Sequence, residues 1–159
     1  MRVLFVCTGN TCRSAMAEPI ARIAAQRASA RDVTFSSAGT SAWDGAPASD
    51  GAILVGIERK LDLNAHRARA LTREIVEAAD LVLGMGAHHV ERACVLGGEG
   101  KTFLLADYGE RAATGHSVAD PFGGDLKLYR ATADELERLI GLAVARLAEV
   151  GGTGQADGQ

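Results

Sequence analysis

The sequence predicts an α/β protein built on a parallel sheet, and three observations lead there. Short apolar runs alternate along the chain with longer segments of helical period. The runs themselves, such as "VLFV" and "LVL", are continuous rather than alternating, which suits strands covered on both faces. The 159 residues show no internal repeat and fit one domain with a sizeable core. Strand–helix alternation of this kind closes into a sheet through right-handed crossovers.

Strands are expected at Arg2–Cys7, Val33–Ser37, Leu81–Met85 and Thr102–Leu105, and helices at Ser14–Ala28, Ser49–Leu61, Thr72–Ala79, Ala87–Leu96 and Thr132–Val150. The last helix has the clearest pattern. Leu136, Leu139, Ile140, Ala143, Val144 and Leu147 share one face, and Thr132 with Glu135 reads as a capping box at its start. The stretch from Asp107 to Tyr129 has little periodicity, and a loop of that length in a compact domain is usually functional or mobile. A folded domain over 1–150 and a disordered tail over 151–159 are expected.

Composition narrows the function. The chain is 47% hydrophobic and 23% charged with a net charge of -3, and it has no basic block to suggest nucleic acid or a membrane surface. "RVLFV" is too short for a signal h-region, and no apolar run approaches transmembrane length. Three cysteines are too few for a disulfide scaffold, so a cytoplasmic location is expected. No zinc or calcium ligand spacing occurs, and no metal or cofactor is expected.

The chemistry concentrates in "VCTGNTCRSAMAE", residues 6–18. Cys7 ends a strand and Ser14 opens a helix, so the turn between them falls at the carboxyl edge of the sheet, where ligands sit in open α/β folds. Backbone N–H groups from Thr8 through Gly9, Asn10, Thr11 and Cys12 to Arg13 can curl around an anion there, aided by the helix dipole. Gly9 and Asn10 are residue types that reach left-handed angles cheaply. Arg13 supplies a fork for two phosphate oxygens. The same positive surroundings favour a Cys7 thiolate, a nucleophile for phosphoryl transfer through a phosphocysteine.

With these residues the chain resembles the low-molecular-weight protein tyrosine phosphatase family. The resemblance rests on C-x5-R-[ST] at Cys7–Ser14 and on "SAGTSAW" (37–43), "HRARALT" (66–72) and "ADPFGGD" (119–125), and it covers roughly residues 2 to 148. It implies a three-layer α/β/α fold around a four-stranded parallel sheet of order 2-1-3-4, with the phosphate-binding loop after the first strand. It also implies Cys7 as nucleophile, Arg13 as phosphate clamp, and Asn10 and Ser14 as loop supports. Many members carry proline directly after the serine. Here that position is Ala15, and Pro19 lies further inside the helix, where it removes one hydrogen bond.

Expelling a basic leaving group requires an acid opposite the nucleophile. Asp120 fits, because Pro121 holds it extended in a long loop and because it stands where the resembled family has its general acid. Cys12 shares the loop with Cys7, and a reversible Cys7–Cys12 bond, frequent in the family, would guard the nucleophile from over-oxidation; a buried structural thiol is the alternative. Cys94 reads as a core residue. Thioredoxin-coupled arsenate reductases resemble the same family but need two further cysteines after the third strand, and only Cys94 is there.

The substrate turns on the pocket wall. Phosphotyrosine members typically carry a larger aliphatic residue at the position of Thr11, whereas bacterial protein arginine phosphatases, which this chain resembles, carry threonine and a "DPFGGD"-like turn with Phe122. Trp43 looks like an aromatic rim and suits either an aryl ring or a guanidinium. A phosphoarginine protein phosphatase is therefore expected, with phosphotyrosine hydrolysis, arsenate reduction and a non-catalytic anion or redox sensor as alternatives. The expected partners are phosphorylated proteins, and the expected state is a monomer. His66 with Arg69 reads as structural. His88 and His89 are adjacent on a helix and cannot share a metal.

Overall fold

The structure, a computed structural model, describes residues 1–156. Its strands are β1 (Arg2–Cys7), β2 (Thr34–Gly39), β3 (Leu81–Gly84) and β4 (Thr102–Leu104). Its helices are α1 (Arg13–Arg27), α2 (Asp50–Glu58), α3 (Arg73–Ala78), α4 (Ala87–Ala93), α5 (Leu105–Glu110) and α6 (Leu126–Ala156). All strand pairs are parallel, in the order β2-β1-β3-β4. The α/β class and the sheet order are those expected.

Alternation along β1 divides the core between the two faces of the sheet. Val3, Phe5 and Cys7 join α1, α5 and α6 on one side, while Leu4 and Val6 join Val76, Val82 and Ala93 on the other. Every β1 residue after Arg2 is buried, which explains the unbroken apolar run. β1 is also where the chain reverses direction across the sheet, since β2 lies to one side and β3 to the other. A crevice opens at such a switch point, at the carboxyl end where Cys7 sits. The register puts Cys7 beside Gly39. A side chain at Gly39 would put its Cβ 2.4 Å from the Thr8 carbonyl oxygen and 3.0 Å from the Asn10 nitrogen, so only glycine lets β2 end this close to the turn.

The helices differ from expectation at their ends. α1 runs unbroken through Pro19. Ser49 and Thr72 cap α2 and α3 with their side chains instead of lying inside them. α4 ends at Ala93 and passes into a π turn, Cys94–Gly98, which leaves Cys94 half-buried and not in the core. α5 was not foreseen: its six residues are too few for a helical period, and it forms by packing Leu105, Ala106, Tyr108 and Gly109 inward.

The largest correction concerns α6, which starts at Leu126 and not at Thr132. Its cap is Asp125, whose Oδ1 accepts the Leu128 N–H at 3.0 Å. Thr132 is buried inside the helix and its hydroxyl donates to the Ala119 carbonyl at 3.4 Å. The helix continues to Ala156, and residues 157–159, the end of the expected tail, lie outside the described residues. No described helix is long and apolar enough to cross a membrane.

Candidate active site

The turn between β1 and α1 is braced around Asn10. This residue is fully buried and left-handed, with φ of 58°. Asparagine tolerates that region better than most residues. Gly9, expected to share the role, has no positive φ. The Asn10 amide is bonded at both ends: Nδ2 donates to Ser14 Oγ and Ser37 Oγ, each at 2.8 Å, and Oδ1 accepts the Arg69 N–H at 3.0 Å. The Asn10 carbonyl accepts from His66 Nε2 at 2.6 Å. His66 and Arg69 are thus structural, as expected.

This brace determines what reaches Cys7. Ser14 Oγ already accepts from Asn10, so its own proton is free for Cys7 Sγ, 2.8 Å away. The Asn10 N–H donates to the same sulfur at 3.3 Å. Two donors converging on one buried sulfur suit a thiolate. The N–H groups of Gly9, Thr11 and Cys12 donate to no acceptor among the described residues, and the first turn of α1 has no acidic side chain. The positive end of that helix is therefore unneutralised where the loop opens.

Cys7, Thr8, Gly9, Thr11, Cys12, Arg13, Asp120 and Phe122 line a cavity of about 180 Å³. That is smaller than a typical ligand pocket, a slot for a phosphoryl group and the atoms behind it. Arg13 is buried at the base, with one Nη donating to the Val118 carbonyl at 3.1 Å and the other 3.5 Å from Asp120 Oδ2. Asp120 is half-exposed, and its Oδ1 accepts the Phe122 N–H at 3.0 Å. The nucleophile and cation of the Cys7–Ser14 turn and the carboxylate of the 119–125 segment thus share one cavity.

Trp43 does not line that cavity; it is 84% exposed on the turn after β2. Cys12 Sγ lies 3.2 Å from Ser49 Oγ and 3.4 Å from the hydroxyl of Tyr129, and all three cysteines are free thiols. Cys94 is not among the cavity's lining residues. No metal-binding cluster occurs among the described residues. A larger groove between α1 and α6, about 710 Å³ and lined by Ile20, Ala24, Leu61 and Val144, lies away from these groups.

Sequence reading weighed His89 only as a metal ligand and missed its place beside the loop. Its ring is buried at the start of α4, with Nδ1 accepting the Gly86 N–H and Nε2 facing Thr8 Oγ1, both at 2.9 Å. Burial, then the neighbouring His88 and Arg13, push its pKa down to about 4. A neutral buried histidine one turn after a strand has no signal in a single sequence.

Comparison with known proteins agrees with the geometry. The model of the low molecular weight phosphotyrosine protein phosphatase family matches residues 2–151. A protein-arginine-phosphatase of Bacillus subtilis is 40% identical over 144 residues, spanning 88% of this chain and 92% of that one. The low molecular weight protein-tyrosine-phosphatase PtpB of Staphylococcus haemolyticus is 35% identical over 143 residues, spanning 89% and 96%. Among solved structures, a cysteine-to-serine mutant of the YwlE arginine phosphatase with a phosphorylated active-site serine superposes with a TM-score of 0.86 at 38% identity, covering 92% and 95% of the two chains. The chain belongs to the low molecular weight phosphotyrosine protein phosphatase family.

Proposed function

We propose that this protein is a cysteine-dependent protein phosphatase that hydrolyses phosphoarginine side chains through a phosphocysteine. The observation that carries the reading is the shared cavity lined by Cys7, Arg13 and Asp120, in which the Cys7 sulfur takes two hydrogen bonds and Arg13 lies 3.5 Å from the Asp120 carboxylate. Cys7 Sγ attacks phosphorus and the P–N bond breaks, while Asp120 in its acid form gives a proton to the departing guanidine nitrogen. Arg13 and the loop N–H groups from Thr8 to Ser14 carry the charge on the phosphoryl oxygens. Water then attacks phosphorus, Asp120 takes its proton, and phosphate leaves as the thiolate is restored.

Thr11 and Phe122 in the wall support arginine over tyrosine, since a small hydroxyl side chain suits a planar polar group better than an aryl ring. The 40% identity to an arginine phosphatase supports the same choice. Tyrosine phosphatases among the relatives keep phosphotyrosine as the second reading. Trp43, outside the cavity, meets parts of the substrate beyond the phosphoryl group and its leaving group. Cys12 is the partner for reversible oxidation of Cys7. The enzyme works as a cytoplasmic monomer on phosphorylated proteins.

The deciding experiment compares kcat/KM on phosphoarginine and phosphotyrosine peptides for wild type, Thr11→Ile and Cys7→Ser. Phosphoarginine is preferred by wild type, Thr11→Ile moves the ratio toward phosphotyrosine, and Cys7→Ser is inactive on both. An unchanged ratio removes the argument for arginine, and an active Cys7→Ser removes the mechanism.

A further inference from the structure

The contact between His89 and Thr8 has a fixed direction. Nδ1 of His89 accepts the Gly86 N–H, so it carries no proton. A neutral ring then has its proton on Nε2, which makes the ring the donor to Thr8 Oγ1 at 2.9 Å. Protonating the ring would set an N–H on Nδ1 against the Gly86 N–H, and burial and the Arg13 charge oppose it as well. The Thr8 hydroxyl is therefore held as an acceptor toward α4. Its own proton has no acceptor among the described residues, and Thr8 lines the cavity with Cys7 and Arg13.

A hydroxyl proton without a partner on a cavity wall is aimed at whatever fills the cavity. The occupant offers two kinds of atom. The phosphoryl group presents anionic oxygens, strong acceptors, whereas a guanidine presents mainly N–H donors, which a hydroxyl proton repels. We propose that His89 is a positioning residue that turns the Thr8 hydroxyl into a donor to a phosphoryl oxygen held above Cys7. The proposal rests on the phosphatase reading and adds to the loop's N–H groups and Arg13 one side-chain donor, the Thr8 hydroxyl, oriented by a residue of α4. β1 and β3 are paired neighbours, which is what brings α4 under the loop.

The test titrates inorganic phosphate into wild type, Thr8→Val, Thr8→Ser, His89→Leu and the Thr8→Val/His89→Leu double variant, following protection of Cys7 from alkylation. A hydrogen bond to a charged group corresponds to a loss of about 10- to 100-fold. Thr8→Val is expected to weaken phosphate by about 10-fold or more, and Thr8→Ser to recover most of that loss. His89→Leu weakens phosphate by a smaller factor, and that factor vanishes when Thr8 is already valine. Thr8→Val binding phosphate like wild type overturns the proposal. So does a His89→Leu loss of the same size in both backgrounds, which marks a purely structural role. Should His89→Leu not fold, nitrogen-15 NMR of wild type decides: Nδ1 unprotonated and Nε2 protonated at pH 7 supports the proposal, and the opposite tautomer overturns it. Phosphate binding is read without turnover. If these losses appear while neither phosphopeptide is hydrolysed, the phosphatase reading fails and the Thr8 donor stands.

Discussion

Two loops meet over Cys7, and they are built in opposite ways. The Cys7–Ser14 turn is largely buried and cross-braced, with Asn10 alone tied to Ser14, Ser37, His66 and Arg69. The loop from Arg111 to Asp125 is almost all exposed and is held at separate points. Asp107 Oδ1 receives Thr114 and Gly115, Glu135 pairs with His116, Thr132 bonds Ala119, and the buried Val118 bonds Met85. An anion site gains from donors fixed in advance, because no reorganisation is then needed as charge develops. The role proposed for Asp120, to face first a leaving group and then a water, suits a segment tethered at intervals. Arg13 links the two halves directly, reaching Val118 and Asp120.

The sharpest break in this comparison is Asp120→Asn. It should lower kcat on phosphoarginine by about 10²- to 10⁴-fold, the usual worth of a general acid. The melting temperature should barely move, because the side chain is half-exposed. A large stability loss would show the acid loop to be structural after all.

Asn10→Ala tests the braced half and should lower activity and stability together. It removes partners from the buried Ser14 and Ser37 hydroxyls and from the Arg69 N–H, for a cost of about 2 kcal/mol in thermal or denaturant unfolding. Loss of activity at unchanged stability would mean that the brace is not what holds the loop.

Acid sharpens the same point through His89. Its pKa is about 4 in the fold against an ordinary 6.5, so the folded state favours the neutral ring. Above pH 6.5 neither state is protonated and this contribution is complete. As pH falls from 6.5 toward 4, the unfolded chain binds the proton first, and stability is lost across that window. Melting temperature followed between pH 7 and pH 4.5 should fall more steeply for wild type than for His89→Asn. The smallest effect is expected from Glu135→Gln, which weakens one partly exposed tether to His116. It should cost no more than about 1 kcal/mol, visible mainly as faster proteolysis of the 111–119 segment.

The misread cap of α6 shows where sequence reasoning fails. Thr132 and Glu135 match the spacing of a capping box, yet both face the acid loop and hold it through Ala119 and His116. A threonine and a glutamate three apart share a helix face whatever that face is used for. The true cap, Asp125, ends "ADPFGGD", whose Asp-Pro and Gly-Gly pairs read as loop throughout. Trp43 meets a similar limit, since an aromatic in a segment of the right kind says nothing about which way its turn points, and here the side chain is exposed. The contacts of Thr8 with His89 and of Asn10 with Ser37, His66 and Arg69 were out of reach of spacing because these partners lie from 27 to 81 residues apart along the chain.

What the sequence determined by itself is what lies within one turn of chain. A covered strand, an asparagine able to adopt a left-handed angle, and the helix after it bring Cys7, Arg13 and Ser14 together by local geometry alone. Tertiary structure decided what surrounds that turn. The close approach at Gly39, the direction of the Thr8–His89 bond, the place of Asp120 across from the sulfur and the outward position of Trp43 depend on which segments pack side by side, and spacing along a chain carries no information about that.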